Sequence, residues 1–143
     1  MSNGTESGAS AEIAPLDRKR ILLVDDEKPI LQIFRLILSV SIPGCKIDLA
    51  SNGAEAVDAF CNARHAVLLM DLHMPVKDGL TAFLDIQALC ESRRWEMPSV
   101  VFCTGFAPPS SLSNLISKST THGLLLKPVR NEILVEAVKS RLK

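Results

Sequence analysis

A chain of 143 residues fits one domain and leaves little room for a second. Hydrophobic residues make up 47% and charged residues 22%, a balance that builds a globular core without disulfide or metal staples. Sixteen basic and sixteen acidic residues cancel, which argues against nucleic acid or an anionic membrane as a partner.

Residues 1–17 are rich in Ser, Gly, Ala and Glu and show no hydrophobic period, so they are expected to be a disordered lead-in to a folded domain of residues 18–143. The first twenty residues contain no apolar core of a secretory signal, and no apolar run reaches the ~18 residues of a membrane helix. The expected location is cytoplasmic. Cys45, Cys61, Cys90 and Cys103 form no CxxC pair and lie in apolar surroundings, which suits buried thiols.

From Ile21 the chain alternates short apolar runs with longer amphipathic ones. Ile21–Val24 is a continuous apolar run, the pattern of a strand covered on both faces. Pro29 suits the first turn of a helix, and Ile30, Ile33, Phe34, Ile37 and Leu38 recur at helical spacing before Pro43-Gly44 breaks the chain. Residues 45–49 read as a second strand, and Asn52-Gly53 turns into a helix carrying Ala56, Val57 and Phe60. Ala66–Met70 is the third strand, followed by a helix with Leu80, Phe83, Leu84 and Leu89. Val100–Cys103 is the fourth strand, and Pro108-Pro109 opens a short serine-rich helix. Leu124–Leu126 is the fifth strand, and the last helix carries Ile133, Leu134, Ala137, Val138 and Leu142.

Five strands alternating with five helices predict an α/β fold, a doubly wound parallel sheet with helices on both faces. In such folds ligands bind beyond the carboxyl ends of the strands. The residues at those ends are Asp25-Asp26, Asp71, Thr104 and Lys127. In the flavodoxin-like order 2-1-3-4-5 the first and third strands are neighbours, so three carboxylates converge. Each disfavours ionisation of the others, and a hard divalent cation such as Mg²⁺ resolves the conflict. Asp71 is then placed as a nucleophile towards phosphorus, with Lys127 as a point charge and Thr104 as a hydroxyl donor. Asp78-Gly79 reads as a turn with backbone freedom and a helix cap, and His65 and His122 read as surface residues at the opposite edge.

The segments LLVDDE (22–27), LLMDLHMPVKDG (68–79), VFCTG (101–105) and LLLKP (124–128) together resemble the signature segments of the response-regulator receiver family. The resemblance implies a phosphorelay module of two-component signalling with Asp71 as phospho-acceptor. It implies Asp26 as a direct Mg²⁺ ligand, Asp25 as a ligand through water, and the backbone carbonyl of His73 as a further ligand. Thr104 would move onto the phosphoryl group, Lys127 would pair with it, and Lys127-Pro128 is a candidate cis peptide. Implied partners are a histidine kinase or phosphotransfer protein and a separate effector protein. The expected activity is limited to the chain's own phosphorylation and dephosphorylation.

Three positions modulate that expectation. Leu124 stands where many receivers carry the Tyr or Phe that swings inward, Gly105 fits a preference for a small residue, and Phe106 either compensates for the missing ring or, the favoured reading, shades the phosphoryl pocket. Two alternatives remain open: a receiver module of a larger hybrid histidine kinase, and an aspartyl-phosphate phosphatase. The latter needs an acid/base Asp two residues after the nucleophile, where this chain has His73.

Overall fold

The computed structural model describes residues 12–142. Ten elements follow in order: β1 (Asp17–Val24), α1 (Lys28–Ser41), β2 (Lys46–Ala50), α2 (Gly53–Ala63), β3 (His65–Met70), α3 (Gly79–Arg93), β4 (Ser99–Thr104), α4 (Ser110–Ser117), β5 (Gly123–Leu126) and α5 (Asn131–Lys139). All strand pairs are parallel, in the order β2-β1-β3-β4-β5. This is the doubly wound flavodoxin-like arrangement expected from the alternation.

Burial follows position in the sheet. Central β3 is buried at every residue, which is why its sequence is apolar without alternation. Edge strands β2 and β5 are mostly half-buried. Phe60, Phe83 and Phe102 are among the largest fully buried side chains, and the last two pack at 5.7 Å between centroids.

Two helices start on side-chain caps. Asn52 accepts from Glu55 N–H at 2.9 Å and Asp78 from Thr81 N–H at 2.8 Å, each satisfying an orphan donor of the first turn. Gly79 is required for a reason other than backbone freedom. A Cβ there would come within 2.2 Å of the Asp71 carbonyl, so α3 starts against the backbone of the site. The left-handed residue of that loop is Val76, at φ 69° and 83% exposed.

Several sequence expectations shift. Of the lead-in over 1–17, residues 1–11 lie outside the described residues. Its final stretch is docked: Ala14 bridges to Trp95, donates to the Arg94 carbonyl and accepts from Glu96 N–H, both at 2.9 Å, and Leu16 is buried. On α1 the core takes Leu31 and Leu38 with Phe34 and Ile37 packed against it, while Ile33 is 55% exposed, because it lies about 100° round the helix from Phe34. Leu84 and Ile133 also face outward.

His65 is fully buried rather than at the surface, with Nε2 2.7 Å from Asp48 Oδ2 on β2. Burial holds its imidazole below the ordinary value, against the opposing pull of Asp48. His122 is half-buried, accepts from Val100 N–H at 3.0 Å and meets the Phe83 ring edge-on.

Candidate functional site

The ladder of the sheet runs one step past the strands and sets the site residues in place. Asp25 N–H donates to the Ala50 carbonyl at 3.1 Å, Asp71 N–H to Val24 at 3.0 Å, and Lys127 N–H to Thr104 at 2.8 Å. Each site residue is thereby tied through its backbone to the neighbouring strand. The three side chains expected to converge do so: one ligand atom from each of Asp25, Asp26 and Asp71 lies within 4.8 Å of the others. Asp25 and Asp71 are buried, and Asp26 is exposed at the mouth.

Lys127 Nζ donates to Asp25 Oδ2 at 2.8 Å and to Asp71 Oδ2 at 3.5 Å. Burial alone pulls its ammonium down, but the hydrogen bond and charge of Asp25, with the charge of Asp71, outweigh that and hold it above the ordinary lysine value. Asp71 is pushed above the usual carboxylate range. Burial is the main cause and Asp25 adds to it, while Lys127 opposes both. Asp25 Oδ1 accepts from Glu27 N–H at 2.9 Å, and Asp71 Oδ1 from His73 N–H at 3.4 Å.

One ammonium among three carboxylates leaves excess negative charge in a partly dehydrated pocket. Oxygen donors in this number and this charge balance fit a hard divalent cation that keeps part of its water. The residues present therefore suit Mg²⁺.

Thr104 is fully buried at the end of β4, and its Oγ1 accepts from Phe106 N–H at 3.3 Å. Gly105 is open: an added Cβ would meet nothing within 4 Å. Leu124 is half-buried on β5 and lines an apolar groove with Leu126, Val129 and Ile133. The Lys127-Pro128 peptide is cis.

Two features escaped the sequence reading. The His73 and Phe106 rings meet edge-to-face, with centroids 5.1 Å apart at 87°, joining the loops after β3 and β4. Val76 is the centre of a tight turn in which Lys77 N–H donates to the Pro75 carbonyl at 2.7 Å. Neither leaves a periodic signal, since the ring contact depends on how separate loops are placed and the turn puts a β-branched residue where glycine is the usual mark.

Residues 21–139 match the family model of the response regulator receiver domain. The chain is 35% identical over 121 residues to the positive alginate biosynthesis regulatory protein of Pseudomonas aeruginosa, covering 83% of this chain and 45% of that protein. It is 33% identical over 94 residues to Histidine kinase 5 of Arabidopsis thaliana, covering 66% of this chain and 10% of the kinase. The chain thus spans less than half the length of these curated relatives. Among solved structures it resembles a CheY-like response regulator receiver domain protein from Methanospirillum hungatei, with a TM-score of 0.72, 26% identity, and coverage of 87% of this chain and 93% of that one.

Proposed function

Because this chain belongs to the response regulator receiver domain family, we propose that it accepts a phosphoryl group on Asp71 with Mg²⁺ bound and relays that state through protein contacts. The observation that carries this reading is the convergence of Asp25, Asp26 and Asp71, with the Lys127 ammonium paired to Asp25 and Asp71.

In this reading an Asp71 carboxylate oxygen attacks phosphorus. The new O–P bond forms as the bond to the donor breaks, and the donor leaves with the electron pair. Mg²⁺, when bound, supplies positive charge to offset the carboxylates and the phosphoryl oxygens. Asp26 would hold it directly, Asp25 through water, and the His73 carbonyl would complete the protein's share. Lys127, already within reach of Asp71, moves towards the incoming phosphoryl oxygens. Thr104 Oγ1 accepts a backbone hydrogen bond, so its own proton is free to donate to the phosphoryl group. Gly105 and Phe106 modulate access, and Leu124 takes the place of a ring that would reorient. The chain catalyses only its own phosphorylation and dephosphorylation.

The partners in this reading are a histidine kinase or phosphotransfer protein and a separate effector, met in the cytoplasm by a receiver domain of residues 18–143. The outer face of α1 supports such contacts. Ile33, Leu36 and Val40 are 55%, 66% and 72% exposed along one side of a helix that begins two residues after Asp26. A second reading, that the module is the receiver segment of a longer histidine kinase, is favoured by the likeness to a kinase of which the matched residues make up only 10%.

The test is intact mass after incubation with a small phosphodonor and Mg²⁺. The expected result is a gain of one phosphoryl group in the wild type and none in Asp71→Asn. No gain in the wild type overturns the reading.

A further inference from the structure

The end of the sheet remote from Asp71 holds a cavity of about 330 Å³, lined by Arg18, Glu96, Ser99, Thr121, Ser140 and Arg141 among others. These residues come from the start of β1, the approach to β4, the approach to β5 and the end of α5. The volume lies at the lower end of the range for small-molecule pockets, roughly 300–1,000 Å³.

Glu96 is already engaged. Arg18 pairs with it, and Leu16 N–H donates to it at 3.3 Å. Among the described residues it is the one carboxylate lining the cavity, so the lining keeps the uncompensated charge of Arg141. Arg141 has no carboxylate partner among the described residues.

The Arg141 guanidinium is nevertheless held in place. Nε donates to the Thr121 carbonyl at 2.6 Å and Nη1 to the Ala137 carbonyl at 2.8 Å. Nη2 lies against Gly123, where an added Cβ would come within 2.7 Å, so the glycine leaves the space that the guanidinium fills. The remaining N–H groups have no protein partner among the described residues. Ser99 and Thr121 add hydroxyls to the same lining, while the Ser140 hydroxyl already donates to the Ala137 carbonyl at 3.4 Å. A fixed guanidinium beside hydroxyl donors, with the neighbouring carboxylate neutralised, matches a tetrahedral oxyanion. A cation would face Arg141, and an apolar ligand would strand its donors.

We propose that this cavity binds a phosphate group, as the free ion or as the phosphoryl head of a small metabolite, at a site separate from Asp71. The site does not depend on phosphoryl transfer to Asp71.

The test follows the full chain without Mg²⁺ by amide NMR during titration with sodium phosphate, and separately with glycerol phosphate, at matched ionic strength. The expected result is saturable shifts at Thr121, Gly123, Ser140 and Arg141, with affinity lowered about tenfold or more in Arg141→Gln through loss of a charged donor. Tighter binding of the ester assigns a metabolite, and tighter binding of the ion assigns free phosphate. Shifts that do not saturate, that cluster around Asp71, or that persist unchanged in Arg141→Gln overturn the proposal. If Arg141→Gln does not fold, Ser99→Ala is read instead, and wild-type affinity in that variant overturns it.

Discussion

Lys127 Nζ lies 2.8 Å from Asp25 Oδ2, closer than its 3.5 Å to Asp71. The ammonium therefore compensates Asp25 first and leaves Asp71 the less neutralised of the two buried acids. Burial, with the charge of Asp25 added, outweighs the lysine within reach and holds Asp71 above the usual carboxylate range. A folded-state value raised above the unfolded one means that Asp71 favours folding at low pH and loses that contribution as pH rises through its folded value.

Asp71→Asn removes the charge that burial opposes. Without metal at neutral pH, it is expected to raise stability by roughly 1 kcal/mol, about 4 °C in Tm for a domain of this size. Mg²⁺ should narrow the difference by stabilising the wild type preferentially. Thermal unfolding with EDTA and with Mg²⁺ checks both; a less stable Asp71→Asn in EDTA contradicts the account.

Two glycines beside the site should respond in opposite ways. At Gly79 an alanine methyl meets the Asp71 carbonyl at 2.2 Å, so Gly79→Ala must move either α3 or Asp71. A loss of about 2–4 kcal/mol in denaturant unfolding and weaker Mg²⁺ binding are expected. At Gly105 the same methyl meets nothing, and Gly105→Ala should stay within about 0.5 kcal/mol of wild type.

Val76 is β-branched, 83% exposed and held at φ 69°. A side chain there carries strain that glycine avoids, on the order of 1–2 kcal/mol. Val76→Gly is accordingly expected to stabilise the protein by about 1 kcal/mol despite losing a side chain. A lowered denaturation midpoint would show that the turn is not strained.

His65 and His122 both sit below their ordinary value of 6.5, chiefly because of burial. Depressed values mean that the unfolded chain takes up these protons first, so stability falls as pH drops from about the unfolded value towards the folded ones. Urea unfolding at about pH 7.5 and about pH 5 should show this loss, and His65→Gln should reduce it. Asp71 works in the opposite direction over lower pH, so an unchanged pH dependence in His65→Gln assigns the effect elsewhere.

Phe106 is 67% exposed yet braced edge-on by His73. If the pair shields phosphoaspartate from water, Phe106→Ala accelerates its decay, and adding His73→Ala accelerates it less than the single changes predict, because both remove the same contact. Decay rates from intact mass over time decide this. No acceleration in Phe106→Ala sinks the shielding role.

The features legible in the sequence were those written in continuous runs. Ile21–Val24 and Ala66–Met70 announce buried strands because both their faces are covered, and Asp25 and Asp71 follow where those runs end. On α1 only the flank of the buried face was less legible, since apolar residues surround the helix and the pattern admits either Leu31 or Ile33 beside Phe34 and Leu38. His65 was misplaced because imidazole is equally at home in water, and its burial depends on Asp48 from another strand. The preference of Lys127 for Asp25 is a matter of reach across the sheet, which no local pattern encodes.

The backbone bonds from Asp25 to Ala50, Asp71 to Val24 and Lys127 to Thr104 join the ends of three of the four neighbouring strand pairs of the sheet. The pocket is thus completed only when the last strand docks, more than a hundred positions after the first carboxylate. A nascent or truncated chain lacking β5 would gather the acids but not their cation. Modification of Asp71 would then serve as a quality seal, issued to finished molecules and withheld from intermediates.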